Sequence, residues 1–140
     1  MKKVISLILA LLVLTLSLTF VVACGEAEDE TSSGPLYQED TELGKGKNTF
    51  TLEVVWEKSK VNFTIHTDKT IVGDALLELG LVEGEQGDYG LYVKKVNGIL
   101  ADYDIDSTYW AFYINGEYAM TGVDGTKIVN GATYKLSREK

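Results

Sequence analysis

A single cysteine, Cys24, and a single histidine, His66, among 140 residues leave little of the usual machinery of catalysis. One cysteine rules out an internal disulfide framework and a cysteine-rich zinc site. One histidine leaves few ways to assemble a metal centre, and without a Gly-x-Ser-x-Gly context it offers a serine nucleophile no base. Carboxylates are plentiful, yet no pattern sets one apart as a general acid. The glycine-rich stretches Gly44-Lys45-Gly46 and Gly84 to Gly90 match neither a P-loop nor a dinucleotide fingerprint. Basic residues are also scarce. Thirteen against 21 acidic ones give a formal charge of -8, which repels nucleic acid. The length suits one domain, and no internal repeat is visible. The expectation is a non-enzyme with no cofactor and no nucleic-acid partner.

What is present begins with a leader. Residues 4–23 carry no charge, Lys2 and Lys3 precede them, and Ala23 stands before the only cysteine. This is the layout of an export signal. About 30 Å of helix would also span a bilayer, so a retained anchor competes with it. Val21-Val22-Ala23-Cys24 resembles the lipobox of bacterial lipoproteins, and the resemblance implies cleavage before Cys24 and lipidation of its thiol. Residues 1–23 are then a signal peptide, and the protein is expected on the cell membrane, lipid-anchored and facing outside. Residues 24–48 follow as an acidic tether with few apolar groups and the only proline, Pro35, a composition that reads as unfolded spacer.

Residues 49–140 read as one α+β domain. Phe50, Leu52, Val54 and Trp56 alternate with Thr51, Glu53, Val55 and Glu57, and Val61, Phe63 and Ile65 alternate with Asn62, Thr64 and His66. Period two predicts two strands joined as a hairpin across Lys58-Ser59-Lys60. His66 falls on the solvent side of the second strand, where an ordinary surface role is expected. Between Asp68 and Gly80 the spacing turns helical through Ile71, Val72, Ala75, Leu76 and Leu79, with Asp68 or Thr70 as cap. Alternation returns over 91–96, 109–114 and 133–136, and Asn97-Gly98 and Asn115-Gly116 are turn signals. The order β-β-α-β-β-β with one helix on the sheet predicts a small β-grasp-like domain.

The wording of this part of the chain is informative in itself. Gly73-Asp74-Ala75-Leu76-Leu77, Val96-Asn97-Gly98-Ile99 and Tyr109-Trp110-Ala111-Phe112-Tyr113-Ile114-Asn115-Gly116-Glu117-Tyr118-Ala119, with Thr121-Gly122-Val123-Asp124, resemble the DUF4430 family. Its domain is similar to the C-terminal β domain of the vertebrate cobalamin carriers transcobalamin and intrinsic factor. The resemblance covers roughly residues 50–137. It implies a domain that closes over one side of a corrinoid, here without the helical partner that holds the other side. The chain departs from the family where Asn130-Gly131-Ala132 replaces an Asp-Gly-Asp turn.

Candidate binding residues follow from the strand that bears the aromatics. The more apolar set, Trp110, Phe112 and Ile114, is expected in the core, which leaves Tyr109 and Tyr113 as an exposed platform for a flat ligand. Trp110 is retained as a rim residue, Asp106 and Thr108 as polar contacts, and Tyr89 as a further aromatic. Six of the eight tyrosines lie between 89 and 118, which suggests amphipathic surface at one end of the sheet. Asp102-x-Asp104-x-Asp106 has the spacing of half a calcium loop, but Ser107 and Tyr113 occupy the positions of the loop glycine and the closing Glu. Two functions stay open: a surface lipoprotein that binds a corrinoid or another planar small molecule, and a module that docks an envelope protein partner.

Overall fold

Strict alternation along a chain forces one face of each strand into a core. The computed structural model describes residues 34–140, and the strands Asn48–Trp56 and Ser59–Thr67 obey that rule. Nine strands and two short helices form an α+β domain dominated by sheet: β1 Thr41–Gly44, β2 Asn48–Trp56, β3 Ser59–Thr67, α1 Val72–Glu78, β4 Val82–Gly87, β5 Gly90–Val96, β6 Ile99–Leu100, α2 Tyr103–Asp106, β7 Tyr109–Ile114, β8 Glu117–Tyr118 and β9 Thr133–Glu139. A 3-10 turn, Val123–Gly125, precedes β9. Ser33–Lys140 is a compact unit of its own.

The strands divide into a six-stranded sheet in the order β1-β3-β2-β9-β7-β8 and a three-stranded sheet in the order β4-β5-β6. The last strand is central. β9 runs parallel to β2, with Leu52 opposite Tyr134 and Val54 opposite Leu136, and antiparallel to β7, with Phe112 opposite Leu136 and Tyr109 opposite Glu139. Phe50, Leu52, Val54, Val61, Phe63, Ile65, Trp110, Phe112, Tyr134 and Leu136 therefore share one face, which is buried. Val72, Ala75 and Leu76 of α1 are buried in the same core. Tyr134 is the largest fully buried side chain. Its ring meets Phe50 edge-on at 5.3 Å and stacks on Phe112 at 6.0 Å. Its hydroxyl accepts from the Val129 amide and donates to the Lys127 carbonyl, so the buried oxygen is satisfied.

Three expectations need correction. The tether does not run to residue 48. Thr41–Gly44 pairs in parallel with β3, and Tyr37 packs edge-on against Phe63 at 5.5 Å. Asn97, which is fully buried, accepts from the Tyr37 amide at 2.9 Å and donates to its carbonyl at 2.8 Å, while the Leu36 amide bonds the Asn97 carbonyl. Backbone pairing holds a segment that its composition reads as spacer. The helix is shorter than expected, and neither Asp68 nor Thr70 caps it. Its N-cap is Ile71 without a side-chain bond, and Asp68 instead accepts from the Lys47 amide. One sheet becomes two, because β4, with only Val82 buried, pairs with β5 without any hydrophobic alternation. The expected signal peptide, Cys24 and the acidic residues up to 33 lie outside the described residues.

Asn97 is the clasp between the 34–37 segment and the rest of the unit. Its left-handed backbone, φ 51, adds a further demand on the residue type. Asn97→Ala strands both polar groups of Tyr37 and is expected to cost about 2 to 4 kcal/mol in urea unfolding of the Ser33–Lys140 unit. A loss below about 1 kcal/mol would show that the clasp is dispensable.

Candidate functional site

The face of the six-stranded sheet opposite α1 is left open, and what stands on it follows from register. Tyr109 and Tyr113 of β7 point away from the core that holds Trp110 and Phe112, and both are half-buried. The turn that ends β7 is Asn115-Gly116, with φ 47 and 87, the two left-handed residues of a type I′ hairpin. That turn sets Tyr118 of β8 directly opposite Tyr113. The two rings meet edge to face at 5.5 Å and 89°. From β9, Lys135 lies opposite Tyr113 and Glu139 opposite Tyr109.

Polar contacts fix this patch. The Tyr113 hydroxyl donates to Glu139 Oε1 at 2.7 Å. That bond, the burial of the ring, the charge of Glu139 and the neighbouring phenols of Tyr109 and Tyr118 push the Tyr113 pKa up to about 12. Lys135 Nζ stands 4.2 Å from the centroid of the Tyr113 ring. Beside the patch, Ile114, Asn115, Glu117, Tyr118, Ala119 and Met120 line an open groove of about 480 Å³. Tyr118 and Met120 are exposed there, at 60% and 96%.

The other residues expected at the site are elsewhere. Trp110 is 7% exposed, and its indole N–H donates to the Lys94 carbonyl at 3.2 Å, so it is a satisfied core residue and not a rim. Thr108 is 4% exposed, and its amide and hydroxyl both donate to Asp106 Oδ1. Asp106 also takes Arg138 Nη2 at 2.8 Å. The Thr108 hydroxyl, its amide and the Arg138 charge hold the Asp106 carboxyl below the usual range. Both residues brace α2 against β9 and are not aimed at a ligand. Tyr89 is fully exposed at the tip of the β4-β5 hairpin, in the other sheet. The tyrosines are thus spread over two sheets and α2, and only Tyr109, Tyr113 and Tyr118 converge. Sequence reasoning missed Tyr118, Lys135 and Glu139. The Asn115-Gly116 turn carried the signal for Tyr118, because a two-residue turn fixes which side chains face one another.

Two of the three carboxylates of the acidic loop are engaged within the fold. Asp102 Oδ1 caps α2 by accepting from the Asp104 amide, its Oδ2 lies 3.7 Å from Lys94, and Asp106 is taken by Arg138. Among the described residues no group of three or more His, Cys, Asp or Glu side chains is placed to hold a metal ion. His66 is half-buried, with Nδ1 2.9 Å from Thr49 Oγ1 and Nε2 against the Glu42 carboxylate, and so ties β1, β3 and β2 together.

A small sheet-dominated α+β domain with one aromatic patch on its open face is the class that these features define. The sequence model of the family described as a domain of unknown function, DUF4430, matches residues 68–134. No curated protein matches the sequence. Among solved structures, one from Ruminococcus gnavus ATCC 29149, described as a "putative metal binding protein", is 28% identical with a TM-score of 0.64. The match covers 67% of this chain and 98% of that one. Haptocorrin in complex with Cbi is 18% identical with a TM-score of 0.51 over 70% of this chain, and shares its fold. The match spans only 26% of the haptocorrin chain.

The Tyr113 phenol gives a test of the geometry. Its pKa is raised in the folded state, so its contribution to stability is complete below pH about 10, the unfolded value, and is lost as pH climbs through about 12. In an ultraviolet titration of phenolate absorbance, one tyrosine is expected to ionise last, and Glu139→Gln is expected to bring it back toward the others.

Proposed function

We propose that this protein is a non-enzymatic, membrane-anchored surface lipoprotein whose β-grasp-like domain binds a small planar molecule, with a corrinoid as the first candidate. The observation that carries the reading is the convergence of Tyr109, Tyr113 and Tyr118 on an otherwise open sheet face. Aromatic rings on rigid strands give a flat ligand a large contact at little entropic cost. The fold shared with haptocorrin, solved with Cbi, supports the choice of ligand. The β-grasp-like assignment rests on the first hairpin, the helix after it and the parallel central pair of β2 and β9. The anchor rests on the lipobox-like Val21-Val22-Ala23-Cys24.

A second reading, a docking module for an envelope protein, is favoured by Tyr103 and Ile105 of α2, which are exposed at 60% and 75%. Two side chains on one short helix make only a small patch, so the ligand reading is preferred.

The ligand reading is tested by titrating the Ser33–Lys140 unit with cobalamin and following Trp56 and Trp110 fluorescence, corrected for corrinoid absorption. Saturable quenching is expected, with loss in Tyr109→Ala and Tyr118→Ala. Trp110→Ala is unsuitable, since it empties the core. No saturable change up to about 1 mM, equivalent to about 4 kcal/mol, would refute a stand-alone corrinoid site. The anchor is tested separately in cells. Cys24→Ala is expected to abolish incorporation of labelled fatty acid and to keep the uncleaved precursor, and label retained in the variant would remove the lipoprotein reading.

A further inference from the structure

Tyr113 already holds a cation. Lys135 Nζ, at 4.2 Å from the ring centroid, is well inside the roughly 6 Å over which the negative face of an aromatic ring attracts positive charge. Lys135 makes no ion pair among the described residues, although Glu53 stands opposite it on β2. Its ammonium lies over a ring in preference to a carboxylate within reach of its own row. Around that ring, Tyr118 stands perpendicular at 5.5 Å, the hydroxyl is bonded to Glu139, and Tyr109 is opposite Glu139 in the ladder. The Tyr113 ring thus carries the cation while Tyr118 and Glu139 contact the ring itself, and Tyr109 stands on the same face of the paired strands. The raised pKa of the Tyr113 phenol reflects the same negative surroundings.

We propose that this patch recognises an alkylated ammonium group, and that Lys135 is the chain's own occupant, a tethered cation that the ligand displaces. A lysine ammonium is a compact, strongly hydrated charge that gives up water reluctantly. A quaternary ammonium spreads its charge over methyl groups, loses its hydration more cheaply and touches several rings at once. Tyr109, Tyr113 and Tyr118 supply π faces and edges, and Glu139 supplies the long-range attraction. The proposal goes beyond the corrinoid reading and does not require it, because a planar ligand uses the area of the rings and an ammonium uses their charge distribution.

The test is an NMR titration of the Ser33–Lys140 unit, labelled on the tyrosine rings, with tetramethylammonium chloride against sodium chloride at equal ionic strength. Saturable shifts of Tyr113 and Tyr118 are expected at a dissociation constant of about 10 mM, typical of a partly open cation–π site. Lys135→Met frees the ring and is expected to bind at least about threefold tighter, while Tyr118→Ala binds at least about fivefold weaker. Circular dichroism and thermal melting verify that both variants are folded. Shifts that sodium reproduces, or a folded Lys135→Met that binds no tighter than the parent chain, overturn the proposal. Parallel arms with choline chloride and phosphatidylcholine vesicles separate a soluble ammonium compound from a lipid headgroup. A cobalamin titration on the same sample keeps the two readings apart: binding of tetramethylammonium without cobalamin removes only the corrinoid, and the reverse removes only the ammonium site.

Discussion

The insertion of β9 between β2 and β7 is the constraint on which the molecule depends. Until the last strand arrives, the first hairpin and β7 have no common sheet, because each pairs with β9 and not with the other. Tyr134 secures the insertion. Its ring touches Phe50 on one side and Phe112 on the other, and its hydroxyl binds the Lys127 to Val129 segment that leads into the strand. Side chains alternate along a strand, so placing Tyr134 and Leu136 in the core places Lys135 and Glu139 on the open face. A slip of one residue would put Lys135 into the core and remove both partners of Tyr113. The core and the tyrosine patch are two consequences of one register.

The same alternation divides the aromatic run of β7. Tyr109, Trp110, Phe112 and Tyr113 are near neighbours in sequence, yet Trp110 and Phe112 belong to the packing problem and Tyr109 and Tyr113 to the surface. Trp110 has to enter the core with its indole N–H satisfied, and the Lys94 carbonyl of β5 serves that need. The second sheet is thereby coupled to the first at a part-buried hydrogen bond. Polar bracing continues outward, with Arg138 reaching both the Leu100 carbonyl and Asp106. Asp102 and Asp106 of the acidic loop before β7 are engaged in this bracing, by Lys94 and Arg138.

Much of this was legible in the chain. The patterns at 50–57 and 61–65 gave the first hairpin, Asn97-Gly98 and Asn115-Gly116 marked real turns, and of the more apolar set on β7 Trp110 and Phe112 are buried and Ile114 partly so. What was illegible has a common physical character. Thr41–Gly44 and Val82–Gly87 bury few side chains and are ordered by ladder bonds, which leave no trace in hydropathy. The clasp of Asn97 on Tyr37 joins residues sixty positions apart through polar atoms, and no local window contains both partners. Asp106 and Thr108 look like ligand contacts in the sequence because they are polar and precede aromatics. Their partner Arg138 lies thirty-two residues away, and only the fold brings it to them.

A patch on an open sheet works under different energetics from a pocket. A cavity gains most of its affinity by removing a ligand's apolar surface from water on all sides, and a single face removes only part of it. The groove beside Tyr118 is open to solvent, so a ligand there keeps much of its hydration. Affinity on such a surface comes from groups that are already oriented and that cost little entropy to hold. The Tyr113 ring is held by Glu139 and Tyr118 before any ligand arrives, and its neighbours are carried on paired strands. Preorganisation of this kind favours selectivity over tightness. A domain built so would gain tightness by adding a second wall from a partner or by presenting many copies on one surface, where the effective concentration does the work that burial does in a pocket.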